Sequence, residues 1–353
     1  MVQTPLIEPF ENIFDPKADN NLSLEELAKL RSRYSLFDAK TEIPRISRKV
    51  FGVDPRSVSS KEDDKAHANE HLIFYVDVPF SREQVFRVYT ASEPDWYVKV
   101  EGLVYKLLAD NGVLVPEVSA TELRDDEFSY DFSVLEKIGT TTLDSHLSEH
   151  PEQSLEYGRI AGNYLGRIHR IPVNEIEGSG YFSIINALEG KLTAIKPTWE
   201  DAVTTQLEET LVYLVKNGII DEQKETKIRK KFEDNKGLIN GASHSLLHGD
   251  FYDCNILIDP AKGEISGAVD LSQAKIGDPA FDIAFWSTYY SNDKLGAFLK
   301  GYSETGPQIK DLGNKLALYG LRINLGKAKL RHRYNTGSIP NAIHGINRSL
   351  SIL

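Results

Sequence analysis

The run His248-Gly249-Asp250-Phe251-Tyr252-Asp253-Cys254-Asn255, with Asp270 a short interval downstream, is the stretch whose residue types and spacing imply chemistry. Asp250 and Asn255 lie five positions apart. That is the spacing at which phosphoryl-transfer loops place a carboxylate that orients an attacking hydroxyl and an amide that holds Mg²⁺. Ile256-Leu257-Ile258 reads as a short strand, Asp259-Pro260-Ala261-Lys262-Gly263 as a turn, and Glu264 to Val269 as a second strand. Antiparallel pairing of the two brings the start of the first beside the end of the second, so Asn255 and Asp270 are expected next to each other at the open end of a hairpin. One amide oxygen and one carboxylate are hard donors suited to a Mg²⁺ that keeps several waters and takes its remaining ligands from phosphate.

The elements that must position this hairpin follow from periodicity. Residues 1–45 read as an N-terminal extension, in which Ser23-Leu24-Glu25-Glu26 is a capping box opening a helix through Leu27, Leu30 and Tyr34. The overlapping stretch Asp15 to Glu26 echoes an EF-hand loop, but Lys17 stands at a ligand position and Asn20 replaces the turn glycine, so a capped helix is the expected outcome. Strands are expected over Ser47 to Val53, Glu70 to Val78 and Glu83 to Thr90, with a polar loop from Asp54 to Asn69. A helix from Tyr97 to Asp110 follows, then strands over Val113 to Val118 and Phe128 to Ile138. From Gly139 the pattern is mainly helical. The helix Leu155 to His169 carries Gly158, Gly162 and Gly166 at every fourth position, which predicts close helix packing, since the segment is too polar to span a membrane. Residues 171–197 read as a loop, and helices are expected over Thr198 to Lys216 and Glu222 to Glu233.

Composition bounds the class. With 353 residues, 41% hydrophobic and 26% charged, the chain is long enough for two lobes and has the make-up of a folded globular protein. A formal charge of −11 argues against nucleic acid as a partner. No acidic residue follows Asp311, so Lys315, Arg322, Lys327 and the other late cations are expected on a basic C-terminal helix that docks on an acidic body. Cys254 is the sole cysteine, which rules out an intrachain disulfide and makes a reducing cytoplasm the expected location. No apolar run is long enough for a membrane span.

Several polar residues near the hairpin have structural readings. Asp278 before Pro279 reads as a helix cap, Asp282 as a lock on the loop, and His248 as a backbone-bonding residue, not a base. Tyr252, Asp253 and Cys254 are assigned to packing or solvent, and Cys254 has no basic neighbour to make it a nucleophile. For Arg87, a surface strand cation and a phosphate ligand are both open.

The runs LLHGDFYDCNILID and AVDLSQAKIGDPAFDIAFW resemble the aminoglycoside phosphotransferase superfamily, the hygromycin B kinases among them. VFRVYT, VYKLLADNGVLVPEV, FSVLEKIGTTTLDSHL and LGRIHRI extend the resemblance over roughly residues 80 to 350. The resemblance implies an α+β, bilobal, protein-kinase-like fold. Residues 46–138 would form a small β-rich, nucleotide-binding N-lobe, and 139–353 a larger, mainly helical C-lobe with the catalytic loop, the metal site and the acceptor site. Asp250 would be the catalytic Asp, Asn255 and Asp270 the metal ligands, and Glu136, Lys137 and Ile138 the hinge whose backbone takes the adenine. Arg87 falls at the family's phosphate-binding cation and Glu101 at the helix acid that pairs with it, Lys99 being an alternative cation.

The chain departs from the protein-kinase pattern. No glycine-rich loop lies between Val53 and Asn69, Gly249 replaces the Arg of H-R-D, Asp270-Leu271-Ser272 replaces D-F-G, and no A-P-E segment follows. A small acceptor is therefore expected in place of a protein. The expected activity is Mg²⁺-dependent transfer of the γ-phosphoryl of ATP or GTP to a small-molecule hydroxyl, an aminoglycoside or aminocyclitol first, by a monomer or homodimer. A homoserine-, choline- or sugar-type metabolite kinase is the second reading, and an inactive nucleotide- or ligand-binding module the third.

Overall fold

The computed structural model of the chain describes residues 37–60, 71–89, 97–240, 243–335 and 337–353. The EF-hand-like stretch, the capping box at Ser23 and the later part of the polar link before Asn69 lie outside the described residues.

Helix α1 spans Ala39–Phe51, where a strand was expected over Ser47 to Val53. Ile43, Ile46 and Ser47 are buried at helical spacing, Asp38 accepts from the Lys40 N–H at the N-cap, and Gly52 ends the helix in the left-handed region with φ 75°. This longer three-and-four repeat wins over the short run Val50-Phe51 that suggested a strand. The helix crosses the boundary expected between residues 45 and 46 and lays Ile43 and Ile46 against Phe74, Phe86 and Phe132. The strand β1, Ser57–Ser60, instead lies in the link read as a loop. All four of its side chains are exposed, so it carries no burial alternation, and pairing with β2 (Leu72–Asp77) is what defines it.

The strand β3 (Gln84–Tyr89), the helix α2 (Tyr97–Asp110), β4 (Val118–Glu122) and β5 (Asp131–Glu136) complete the first lobe. Its antiparallel sheet has the order β1-β2-β3-β5-β4. The strand expected over Val113 to Val118 is displaced to Val118–Glu122 because Pro116, with no N–H, cannot donate to a ladder. The helix α2 has the predicted ends, and its buried Val100, Val104 and Leu108 join a core cluster with Leu165, Phe251 and Ile256 of the second lobe.

The second lobe opens with β6 (Thr141–Thr142), α3 (Leu143–Glu149) and α4 (Ser154–His169). Residues 171–197, expected as a loop, contain β7 (Ser179–Phe182), α5 (Ile184–Leu188) and β8 (Ala194–Lys196). Glycines and short runs hid these strands, yet β7 sits inside a four-stranded sheet, between β8 and the strand Lys275–Gly277, which pairs in turn with Ser245–Leu247. The single helix expected over Thr198 to Lys216 is two, α6 (Trp199–Thr204) and α7 (Leu207–Lys216), broken where Gln206 turns left-handed at φ 54°. Then follow α8 (Glu222–Asp234), α9 (Lys236–Asn240), β9 (Ser245–Leu247), β10 (Ile256–Asp259), β11 (Glu264–Ala268) and β12 (Lys275–Gly277). The chain closes with α10 (Ala280–Ser287), α11 (Asn292–Thr305), α12 (Leu312–Tyr334) and α13 (Ile339–Ile352). Among the described residues no helix is long and apolar enough to cross a membrane.

Two expectations about helix docking hold. The basic helix α12 is drawn onto the body by Lys315, whose Nζ lies 2.6 Å from Asp278, and by Arg322, which donates to the carbonyls of Val203 and Thr205. The glycine ladder of α4 faces α11. A Cβ on Gly158 would lie 3.2 Å from the Lys294 side chain, and one on Gly162 or Gly166 would overlap the backbone at Phe298 or Gly306. A methyl at Gly162 must therefore push two helices apart. Gly162→Ala is expected to lower the unfolding free energy by about 1–3 kcal/mol. Gly296→Ala, on the exposed face of α11 where an added Cβ meets nothing within 4 Å, should raise it by about 0.5–1 kcal/mol. Chemical denaturation of both variants would read the difference.

Candidate active site

The hairpin delivers the predicted juxtaposition. Ile256 pairs with Ala268 across β10 and β11, and the Val269 N–H donates to the Asn255 carbonyl at 2.9 Å, so Asp270 begins where Asn255 ends. The Asn255 amide nitrogen donates to both the Asp250 carbonyl and the Asp250 carboxylate at 2.9 Å. With Nδ2 committed, the amide oxygen of this buried side chain is left as its ligand atom. Asp270 adopts φ 63° and keeps 40% of its side chain exposed, and one of its carboxylate oxygens accepts from the Ser272 hydroxyl at 3.0 Å.

A buried grip holds the loop below Asp250. The Asp282 carboxylate accepts from the N–H of His248 at 2.7 Å, from the N–H of Gly249 at 3.0 Å, and faces His169 Nε2 at 3.2 Å. Burial works against the charge of Asp282, but the hydrogen bond and charge of His169 and the proximity of His248 hold its proton affinity below the ordinary carboxylate range. The reading of Asp282 as a lock is therefore met. His248 also bonds backbone, accepting the Asp250 N–H at Nδ1 at 3.3 Å, and burial pushes its imidazole down, away from a charged form. Gly249 has φ +82°, and a Cβ there would overlap the Gln273 carbonyl, so the arginine that protein kinases carry at this point has no room. Asp278 accepts from the Ala280 N–H at 3.0 Å and also from Lys315 and Tyr319, which makes it both a cap and the anchor of α12.

The half-buried Asp250 carboxyl is pushed up to about 7 by burial and by the negative charge of Asp270, against the pull of the Asn255 hydrogen bond, Lys327 and Lys275. Two carboxylates so placed repel, and a cation between them would relieve both. Arg87 is not a surface strand cation, one of its two readings. Arg87 Nη1 lies 2.7 and 2.9 Å from the two Glu101 oxygens, both side chains are buried, and Arg87 Nη2 comes within 3.9 Å of Asp270. Burial opposes the charge of Arg87, but Glu101 overrides it and the guanidinium holds its proton more firmly than usual. Glu101 also accepts from the Leu271 N–H at 3.0 Å, tying α2 to the turn after Asp270. Lys99 is no rival, since it donates to the Thr121 carbonyl and lies 3.8 Å from Glu122.

At the hinge, the N–H of Glu136 donates to the Glu117 carbonyl and that of Lys137 to the Glu83 carbonyl, each at 2.8 Å, and Ile138 follows them. The side chain of Glu136 pairs with Arg82 and that of Lys137 with Glu83 at 2.6 Å. Tyr105, one turn after Glu101 on α2, accepts from the Asp270 N–H at 3.2 Å, and Tyr164 accepts from the Ala268 N–H at 3.0 Å. Sequence reasoning missed both, although the i, i+4 spacing of Glu101 and Tyr105 places them on one helix face. Asp253 is not solvent-facing: it forms a buried 2.5 Å pair with Lys294 of α11, a partner no local pattern announces. Cys254 is half-buried, and its thiol is pushed up to about 12 by burial and the nearby Asp144, which fits the reading that it is no nucleophile.

A five-stranded lobe with two helices, a mainly helical lobe, and a carboxylate loop at their junction define a protein-kinase-like fold. The chain belongs to the phosphotransferase enzyme family, which matches residues 69–308. Solved structures share the architecture. A thermostable mutant of the aminoglycoside phosphotransferase APH(4)-Ia, in ternary complex with ADP and hygromycin B, gives a TM-score of 0.63 at 19% identity, covering 88% of this chain and 98% of that one. The macrolide 2'-phosphotransferase MphH from Brachybacterium faecium, an apoenzyme, gives 0.57 at 16% identity, covering 86% and 96%. At these identities the likeness is one of fold. A Bacillus subtilis (strain 168) protein, YcbJ, described only as uncharacterised, is 35% identical over 65 residues, which span 18% of this chain and 21% of that protein.

Two stability experiments follow. Glu101→Leu leaves Arg87 buried without its partner and is expected to cost about 3–5 kcal/mol, while Arg87→Met combined with Glu101→Leu recovers most of it; urea unfolding measures both. Asp282, depressed below its ordinary value of 3.8 in the folded state, contributes stability that is present above that value and lost as pH falls through the lower folded one. The stability gap between wild type and Asp282→Asn should be constant near neutrality and shrink on acidification below 3.8, as denaturation curves along a pH series would report.

Proposed function

We propose that this chain transfers the γ-phosphoryl group of ATP or GTP to the hydroxyl of a small molecule, with Mg²⁺ as cofactor. The observation that carries the reading is the gathering of Asp250, Asn255 and Asp270 at the open end of the β10–β11 hairpin, with the Arg87–Glu101 pair reaching Asp270. Membership of the phosphotransferase family supports it. The donor set suits the metal: the free amide oxygen of Asn255 and the part-exposed carboxylate of Asp270 are hard oxygens with room for water and phosphate beside them. When bound, Mg²⁺ would neutralise phosphate charge and bring the nucleotide's terminal phosphate to these two side chains.

Each side chain then has a defined task. Asp250 accepts or orients the proton of the acceptor hydroxyl, and the Asn255 amide keeps its carboxylate aimed. Arg87 meets the phosphates with a charge that Glu101 fixes in place. The N–H groups of Glu136 and Lys137 are committed within the first lobe. We therefore narrow the N–H that meets the adenine, within the expected hinge, Glu136 to Ile138, to that of Ile138 or of the glycine that follows. On this reading residues 46–138 hold the nucleotide and 139–353 supply the reacting carboxylate and the acceptor site. Catalysis is mainly positioning and charge neutralisation. The neighbours of like fold name an aminoglycoside and a macrolide as acceptors, which supports a small hydroxylated acceptor here.

Asp250→Asn and Asp250→Ala are expected to fold as wild type and to lose acceptor-dependent turnover by about 10²–10⁴-fold, the range for a positioned proton acceptor. Coupled measurement of ADP or GDP release against a panel of alcohols, with far-UV circular dichroism as the folding control, tests this. Near wild-type rates from either variant would remove Asp250 from the chemistry.

A further inference from the structure

A second set of side chains flanks the loop that carries Asp250 from the C-terminal helices. Tyr252, two residues after Asp250, stacks on Tyr289 at the end of α10, with ring centroids 5.2 Å apart and planes 14° apart. From α12, Lys327 places its ammonium 3.5 Å from the Tyr289 ring centroid and 4.8 Å from that of Phe285. Tyr289 is 43% exposed and Tyr252 and Arg331 are half-buried, while Lys327 is 9% exposed beneath them, so the cluster opens to the surface at Tyr289.

The charge at that rim is positive and underused. Lys327 donates to the Thr288 hydroxyl at 2.6 Å, its one hydrogen bond among the described residues, although an ammonium has three donors. Arg331 lies one turn further along α12 and donates to the Ser338 carbonyl at 2.7 Å. The charges that act on Lys327 are Arg331, of like sign, and Asp250. The other acids nearby have tasks: Asp270 sits at the metal position, Asp253 pairs with Lys294, and Asp282 holds the loop. Burial and Arg331 push the Lys327 ammonium down to about 7 while Asp250 pulls it up, the behaviour of a cation that lacks a counter-ion of its own.

We infer that the acceptor alcohol carries an anionic group, a carboxylate or a phosphate, which Lys327 and Arg331 bind while the hydroxyl lies at Asp250. This rests on the phosphotransferase reading above. Polycationic aminocyclitols and quaternary ammonium alcohols are disfavoured, because Lys327 already covers the Tyr289 ring face that a ligand cation would seek and repels it at short range. The overall charge of −11 does not counter this: no acidic residue follows Asp311, so the negative excess lies outside α12, and at physiological ionic strength salt screens it beyond about 8 Å.

The test runs the full chain with MgATP and MgGTP against hydroxy acids, sugar phosphates, neutral sugars, aminoglycosides and choline. Turnover is expected with a hydroxy acid or a sugar phosphate, the two arms separating carboxylate from phosphate. With that acceptor, Lys327→Met should raise KM roughly ten- to hundredfold, as loss of a charged hydrogen bond does, with a smaller effect on kcat, and Lys327→Arg should restore much of the loss. Melting curves identify a variant that fails to fold, in which case the acceptor panel alone decides. Turnover confined to cationic or neutral acceptors overturns the inference and leaves the phosphotransferase reading standing. Absence of MgATP and MgGTP binding by calorimetry overturns that reading and the inference with it.

Discussion

One buried carboxylate, Glu101, joins three parts of the molecule that otherwise belong to different layers. It receives Arg87 from the sheet, stands on α2, and accepts the Leu271 N–H from the turn after Asp270. Removing such a charge from water is costly, and only a close partner with further hydrogen bonds offsets the loss. Both conditions are met, so the distance between the Arg87 guanidinium and Asp270 is set by a three-way contact and not by the flexible tip of a surface side chain. Tyr105, on the same face of α2, repeats the tie through the Asp270 N–H.

The second constraint is negative charge held at close range without a cation of equal weight. Asp270 raises the proton affinity of Asp250, and Lys275 and Lys327 compensate only in part. A site of this kind is relieved by positive charge placed beside it. Beneath it the grip of Asp282 on two successive N–H groups keeps the loop in one conformation, and Gly249 is required because the Gln273 carbonyl occupies the space of any side chain.

The β10–β11 hairpin was legible because it is local. Turn residues, strand length and antiparallel pairing sufficed to put Asn255 beside Asp270, and helical periodicity gave the ends of α2. The glycine ladder of α4 was readable as close packing for the same reason, although its partner α11 was not. Misreadings came where burial pattern and backbone diverge. The fully exposed β1 has no alternation to detect, α1 hides its repeat behind Pro44, and β7 is only a serine, a glycine and two aromatics. Long-range partners such as Lys294 for Asp253 and Lys327 near Asp250 leave no local trace, because each depends on how helices distant in sequence pack against the loop.

The central claim is that the hairpin's two ends hold a metal-bound nucleotide. Calorimetric titration of ATP and of GTP into wild type and Asp270→Ala, each with Mg²⁺ and with the metal chelated, tests it most directly. The account predicts binding by the wild type that depends on Mg²⁺ and a large loss of that dependence in the variant. Equal affinity with and without the metal, or an unchanged Mg²⁺ effect in Asp270→Ala, would contradict it.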